Sequence, residues 1–482
     1  MNRVRLSLVL SSGLLLGGCS VIPVLHKPAP PVAEQWGASG VVTSPAAELL
    51  RWQQYFPDER LQGLIRASLA HNRDLRVAIL NIEQARAQLT VQRADLFPTL
   101  NASVNATRQP SSSAPYQVGT VASGGLALAS FELDLFGRVR ALSEAASAQL
   151  LGTQASSQTT QISLVASVAS AYYSLWADRW QQALVDQTLA TREASLKLLK
   201  LKYDAGVLNE LEWRSAQSQV EAARISRAQV QRQWQQDLNA LSLLIGQPVA
   251  ASMLPPVPSW STRAVDDVDA LPRLDRAALW PVLSEVPVGL PSEVLLKRPD
   301  IIAAEQALVA ANANIGAARA ARFPRISLTG SAGVVSDSLS GLFSDGRSAW
   351  SVGGGLVAPL LDAGRSSANV TASEVRRDVA VAQYEKAIQV AFREVSDALV
   401  ARSTWGDQVQ AQQAQADAEA DRLKLSALRY RTGVASQLDL LDAQRNLFAA
   451  QQALINAELA RQQSHIAVFK ALGGGVEAPA AP

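Results

Sequence analysis

The chain has 482 residues, enough for two or three domains and a large buried core. Its 44 Lys and Arg against 42 Asp and Glu leave no strong field, which argues against nucleic acid or another polyanion as partner. Apolar residues reach 48% with only 5% aromatics, a composition suited to long helices, while three His and one Cys are too few for a zinc cluster or a disulfide framework.

Arg3 and Arg5 precede an apolar run from Leu6 to Leu16, the order of a bacterial export signal and too short to span a membrane as a helix. Its ending, Leu16-Gly17-Gly18-Cys19, resembles a lipobox, in which Cys19 becomes the lipid-bearing N-terminus after residues 1–18 are removed. Ser20, rather than Asp, follows, as in lipoproteins sorted to the outer membrane. Acyl chains contribute about 0.8 kcal/mol per buried methylene, so several of them on Cys19 would anchor the chain firmly in outer-membrane lipid. Beyond Cys19 no run of about 18 apolar residues occurs, so any spanning falls to strands.

Residues 19–57 are proline-rich and read as an extended tether. Repeat 1 covers 58–245. Leu61, Leu64, Ile65, Leu69, Leu75, Ile79 and Ile82 recur at helical spacing up to Phe97-Pro98. The period then falls to two: Leu100, Ala102, Val104 and Ala106 alternate with Asn101, Ser103, Asn105 and Thr107, a strand with one apolar and one polar face. A Ser- and Pro-rich loop at 109–118 and a second strand over 119–135 follow. No proline lies between Pro115 and Pro248, which allows one helix from Gly137 to Gly206, roughly 100 Å long, and a return helix over 209–245. Such a rod must lie against partners of similar length to bury its apolar stripe.

The proline-rich stretch 246–299 reads as a connector, and repeat 2 (300–472) then restates the order: helix 300–322, Phe323-Pro324, two strands, a long helix, a return helix, and a tail over 473–482. Gly137 and Gly206 recur as Gly364 and Gly433 (364 − 137 = 433 − 206 = 227), which marks an internal duplication. Four strands of membrane-crossing length cannot close a barrel alone, and open edges are not tolerated in lipid, so several chains must contribute to one barrel. The alternatives at this level are a half-buried soluble sheet, or a lipid-anchored periplasmic coiled-coil scaffold without a pore.

Several motifs extend this reading. They include "NRDLRVA" at 72–78, "RADLFP" at 93–98, "FELDLFGR" at 131–138, "RPDI" at 298–301, "IGAARAARFPRISL" at 315–328, "YEKAIQVAFREVSDAL" at 384–399, "RYRTGV" at 429–434, "LLDAQR" at 440–445 and "ALGGG" at 471–475. Together with the ending at Cys19 they resemble the TolC-like outer membrane factors, and within them the OprM-like lipoproteins (NodT-type) of RND multidrug efflux systems. The resemblance covers essentially the whole mature chain. It implies an α+β membrane protein: a homotrimer with one twelve-stranded outer-membrane β-barrel, continued by an α-helical coiled-coil tunnel in the periplasm. It also implies an exit duct working with a periplasmic adaptor and an inner-membrane RND-type transporter, with type I protein secretion as an alternative use.

The resemblance further places the turns Gly206-Val207-Leu208 and Gly433-Val434-Ala435 where the adaptor is contacted. Asp439 and Asp442, three apart on one face of the return helix, have Glu212 and Ser215 as counterparts in repeat 1. In relatives this region lines a closed periplasmic aperture, and Tyr430 and Arg445 match positions that help to lock it. Ala435 stands where some members carry a basic residue. Asp134, Arg138, Asp362 and Arg365 read as structural residues at the change from strand to helix, and Phe131 and Trp350 as belt or core residues. No GxxxxGK, HExxH or GxSxG motif occurs, so neither an enzyme nor a cofactor other than the lipid on Cys19 is expected.

Overall fold

The computed structural model describes residues 21–33, 51–110, 118–258, 280, 283 and 292–474. The export signal with Cys19, loop residues 111–113, much of the 246–299 connector and the end of the 473–482 tail lie outside them. The described elements are helices α1 (Trp52–Tyr55), α2 (Glu59–His71), α3 (Arg73–Ala94), α4 (Arg138–Asp204), α5 (Glu210–Ile245), α6 (Pro299–Ala320), α7 (Arg365–Arg431) and α8 (Gln437–Ala471). Strands β1 (Leu100–Pro110) and β2 (Val118–Leu133) lie between α3 and α4, and β3 (Arg325–Ser336) and β4 (Arg347–Val357) between α6 and α7. Helices α4 and α7 are each 67 residues long, about 100 Å of helix, as the absence of proline predicts.

The helical stretch before β1 is two helices rather than one. Asn72 adopts extended backbone angles at the end of α2, and its side-chain oxygen accepts the Leu75 N–H, so it stops one helix and starts the next. Its amide and the Ser68 hydroxyl donate to the Leu244 carbonyl, tying α2 to the end of α5. Gly246, at φ +78°, closes α5 there, where any Cβ would lie 2.4 Å from the His71 carbonyl oxygen.

The chain divides into two compact units. Of the described residues, the first comprises 21–31, 79–110, 118–156 and 300–387 and contains the sheet. In it the segment from Ile22 to Lys27 lies extended on α6: Ile22 fills the space left by Gly316, the Asn312 amide donates to the Pro23 carbonyl, and Lys27 pairs with Glu305 at 2.5 Å. Asp134 accepts the Val139 and Arg140 N–H groups at the start of α4, and Asp362 accepts those of Gly364 and Ser366 at the start of α7. The second junction is one residue shorter, and Ala363 takes φ +53° to make the tighter turn.

Of the described residues, the second unit comprises 32–33, 51–78, 157–258, 280, 283, 292–299 and 388–474. Its core joins Tyr55, Phe56, Leu61 and Ile65 to Tyr172, Tyr173, Leu241, Leu454 and Phe469, with the Tyr55 and Phe469 rings stacked at 4.9 Å. Tyr172 donates its hydroxyl to Asp58, which also caps α2. Arg298, almost fully buried, donates to the Ala471 carbonyl at the end of α8 and to Glu394.

In this unit burial, with the neighbouring Asp237 carboxyl, pushes the Asp178 carboxyl up to about 7. The folded protein therefore holds a proton that the unfolded chain releases near 3.8. This contribution to stability is complete below that value and is lost as pH rises through about 7. Wild type is expected to melt several degrees higher at about pH 5 than at about pH 8, and Asp178→Asn to shrink that difference. An unchanged difference in the variant would refute the assignment.

Candidate functional site

Strands β1 to β4 form one antiparallel sheet in the order β1-β2-β3-β4. Leu100 pairs with Leu128, Leu126 with Ala332, and Ala332 with Trp350, so these residues share a face. Alternation extends that face through Ala102, Val104, Val334, Val352 and Leu356, and a bulge between Leu128 and Phe131 keeps Phe131, opposite Leu328, on it. The opposite face carries Asn101, Ser103, Asn105, Thr107, Ser327, Thr329 and Ser331, with Gly125, Gly333, Gly353 and Gly355 between them. Strands of 11, 16, 12 and 11 residues are long enough to cross a bilayer. Trp350 and Val352, at 79% and 78% exposure, sit on the apolar face of β4, all of which is exposed. Among the described residues the outer edges of β1 and β4 have no partner strand. Among the described residues no helix is long and apolar enough to cross a membrane.

The turns at the ends of α4 and α7 are built alike. Gly206 and Gly433 both stand at φ +75°. The Val207 and Leu208 N–H groups donate to the Lys202 carbonyl, and those of Val434 and Ala435 to the Arg429 carbonyl, which satisfies the last turn of each long helix. Both turns leave the same apolar side chains exposed: Leu198, Leu201, Val207 and Leu211 in repeat 1 recur as Leu425, Leu428, Val434 and Leu438.

The turns differ in what fastens them. In repeat 1 Tyr203 stacks on Trp213 at 5.0 Å, and the Arg214 guanidinium lies 4.4 Å from the Trp213 ring. In repeat 2 the counterpart of Trp213 is Leu440, and the fastening is ionic. Asp442, on α8, accepts from Arg422 of α7 at 2.5 Å, from Arg445, and from the Asn446 amide at 3.2 Å. The predicted pair Asp442 and Arg445 is thus in contact. Asp439 is engaged elsewhere: it accepts the Ser436 N–H and hydroxyl and donates its own N–H to that hydroxyl, a reciprocal cap that holds its carboxyl below the usual range. Tyr430 is apart from both carboxylates and takes a 3.4 Å hydrogen bond from Lys202, at the end of α4. The motifs gave no sign of Arg422 and Lys202. The cap of Asp439 was visible in the Ser-x-x-Asp spacing at 436–439.

The profile of the outer membrane efflux protein family matches residues 64–247 and 290–474, most of the chain and both repeats. The chain belongs to this family. The antibiotic efflux pump outer membrane protein ArpC and the toluene efflux pump outer membrane protein TtgC, both of Pseudomonas putida, are each 44% identical to it over 486 residues, with 98% of this chain and 96% of each relative covered. The open state of the Neisseria gonorrhoeae MtrE outer membrane channel superposes with a TM-score of 0.83 at 38% identity, covering 95% of this chain and 98% of that one. Membership settles the compartment and the role: an outer-membrane efflux channel, its strands in the membrane and its long helices in the periplasm. The apolar sheet face is accordingly the lipid side.

Proposed function

We propose that three copies of this chain close their sheets into one barrel and serve as the passive exit duct of a tripartite pump, with a periplasmic adaptor and an inner-membrane RND-type transporter supplying cargo and energy. The observation that carries this is the single-faced sheet with two unpaired edges, which in lipid must pair with further copies. ArpC and TtgC are named for antibiotic and toluene pumps, and we extend that cargo class, apolar drugs and solvents, to this chain. A lipid on Cys19 supplements the strands as anchor. The repeated apolar side chains around Gly206-Val207-Leu208 and Gly433-Val434-Ala435 suit the docking of adaptor hairpins. Asp442, Arg445 and Tyr430, joined by Arg422 and Lys202, hold the aperture closed, with Asp439 fixing the start of α8.

The duplication predicts the seam between copies. Leu128 pairs with Gly330 within the chain. The two capping aspartates align Leu128 with Leu356 (362 − 134 = 356 − 128 = 228), and the two Phe-Pro turns align Gly330 with Val104 (324 − 98 = 330 − 104 = 226). Leu356 should therefore face Val104 of the adjoining copy, both on the apolar side. Cys19 is the only native cysteine, so a Leu356→Cys/Val104→Cys variant should oxidise to covalent dimers and trimers, and Leu356→Cys/Ala102→Cys, two residues out of register, far less. Monomers only, from protein that conducts in planar bilayers, would refute the seam; monomers without conductance would refute the duct.

A further inference from the structure

In the first unit a cavity of about 560 Å3 opens where α6 gives way to β3 and β4 gives way to α7. Arg325, Arg365 and Arg376 line it, with Asn369 and Ser373 between them. None of the three guanidiniums has a hydrogen-bond or ion-pair partner among the described residues.

Repeat 1 provides an internal comparison. The counterpart of Arg365 is Arg138, which the Glu132 carboxylate grips with two hydrogen bonds of 2.7 and 2.9 Å and which also feels Asp134 and Asp95. In repeat 2 Glu132 is replaced by Leu360, 90% exposed, and Asp95 by Ala321, a wall of the cavity. Arg325 and Arg376 stand where repeat 1 has Thr99 and Gln149. The same place in the fold has thus lost two carboxylates and gained two guanidiniums. The one carboxylate among the lining residues, Asp362, accepts the Gly364 and Ser366 N–H groups and feels the Arg365 guanidinium without a hydrogen bond to it.

Arg325 pairs with Val357, and both lie on the polar face of the sheet, one residue out of step with Ile326 and Leu356 on the lipid face. The cavity therefore belongs to the channel side rather than to lipid, a placement that rests on the duct reading above. We infer that it is a binding niche for a soluble multivalent anion, a di- or tricarboxylate or a phosphorylated solute, in the channel wall beside the strands. Three guanidiniums lining one cavity suit carboxylate and phosphate oxygens, which a guanidinium engages in paired hydrogen bonds.

Citrate serves as the probe, titrated calorimetrically into full-length protein in neutral detergent at low ionic strength. The expected result is one site per chain, weakened about tenfold for each guanidinium removed in Arg325→Gln, Arg365→Gln and Arg376→Gln. A Leu360→Glu/Ala321→Asp variant, which restores the repeat 1 carboxylates, should abolish binding with the oligomer on native gels unchanged. Absence of heat with wild type, or equal affinity in the glutamine variants, would overturn the niche. Displacement of citrate by micelles doped with phosphatidylglycerol would overturn its channel-side placement. Calorimetry needs no conducting pore, so failure here is separable from failure of the duct.

Discussion

Gly333→Val is expected to cut the yield of assembled oligomer at least about tenfold, although valine is a better strand former than glycine. A Cβ at 333 would lie 2.1 Å from the Gly124 carbonyl oxygen and 2.7 Å from the Gly125 Cα, both backbone atoms of the paired strand. Gly125, directly opposite, is equally constrained, its added Cβ 2.4 Å from the Ala332 carbonyl oxygen. Only separation of β2 from β3 would relieve such contacts, at about 3 kcal/mol per chain, the upper end for overpacked positions. Gly119→Val, on the same sheet with nothing within 4 Å of its Cβ, is the matched control and should assemble normally. The readout is the fraction of heat-dissociable oligomer on gels; equal fractions for the two variants would refute the close approach of β2 and β3.

Asp442→Ala is expected to raise single-channel conductance in planar bilayers, through a roughly tenfold shift toward the open aperture. The arithmetic starts small. Arg422, Asp442 and Arg445 are 42%, 38% and 65% exposed, so each link is worth only about 0.5 kcal/mol. Only the Arg422 link joins α7 to α8, since Arg445 shares α8 with Asp442, so one link in each of three copies, released together, amounts to about 1.5 kcal/mol. Asp439→Ala removes the reciprocal half of the α8 cap instead, with Ser436 still in place, and should loosen the first turn while leaving most of the closed population in place. If Asp439→Ala opened the channel and Asp442→Ala did not, the aperture would be held by the helix start rather than by the ion cluster.

These expectations also mark how far the amino-acid sequence could be read. The duplication, the strands and the long helices were legible because each rests on a local rule. Left-handed glycines and Phe-Pro turns punctuate the repeats, alternation at 100–107 sets the strand faces, and the lack of proline from 116 to 247 lets α4 and α5 run. The break at Asn72 was harder to see, since Asn is tolerated inside helices and acts as a stop only with the Leu244 carbonyl to bind. The residues proposed for the aperture are visible singly in the sequence and their contacts are not. Arg422 lies 20 positions before Asp442, and Lys202 lies 228 positions before Tyr430; only the packing of the helices brings them together. The cavity at Arg325 was invisible for the same reason, because its meaning lies in the absence of two carboxylates that the other repeat retains.

The two fastenings at the helix ends respond differently to their surroundings. Ring stacking between Tyr203 and Trp213 involves no net charge, so dissolved ions leave it almost untouched. The contacts of Asp442 with Arg422 and Arg445 are exposed, and at physiological ionic strength the Debye length is about 8 Å, short enough to weaken such contacts further as salt rises. Exposed ion pairs also join α4 to α5, Arg224 with Glu193 and Arg227 with Asp186, so rising salt loosens both helix pairs along their length, and only the repeat 1 end keeps a fastening that it leaves in place.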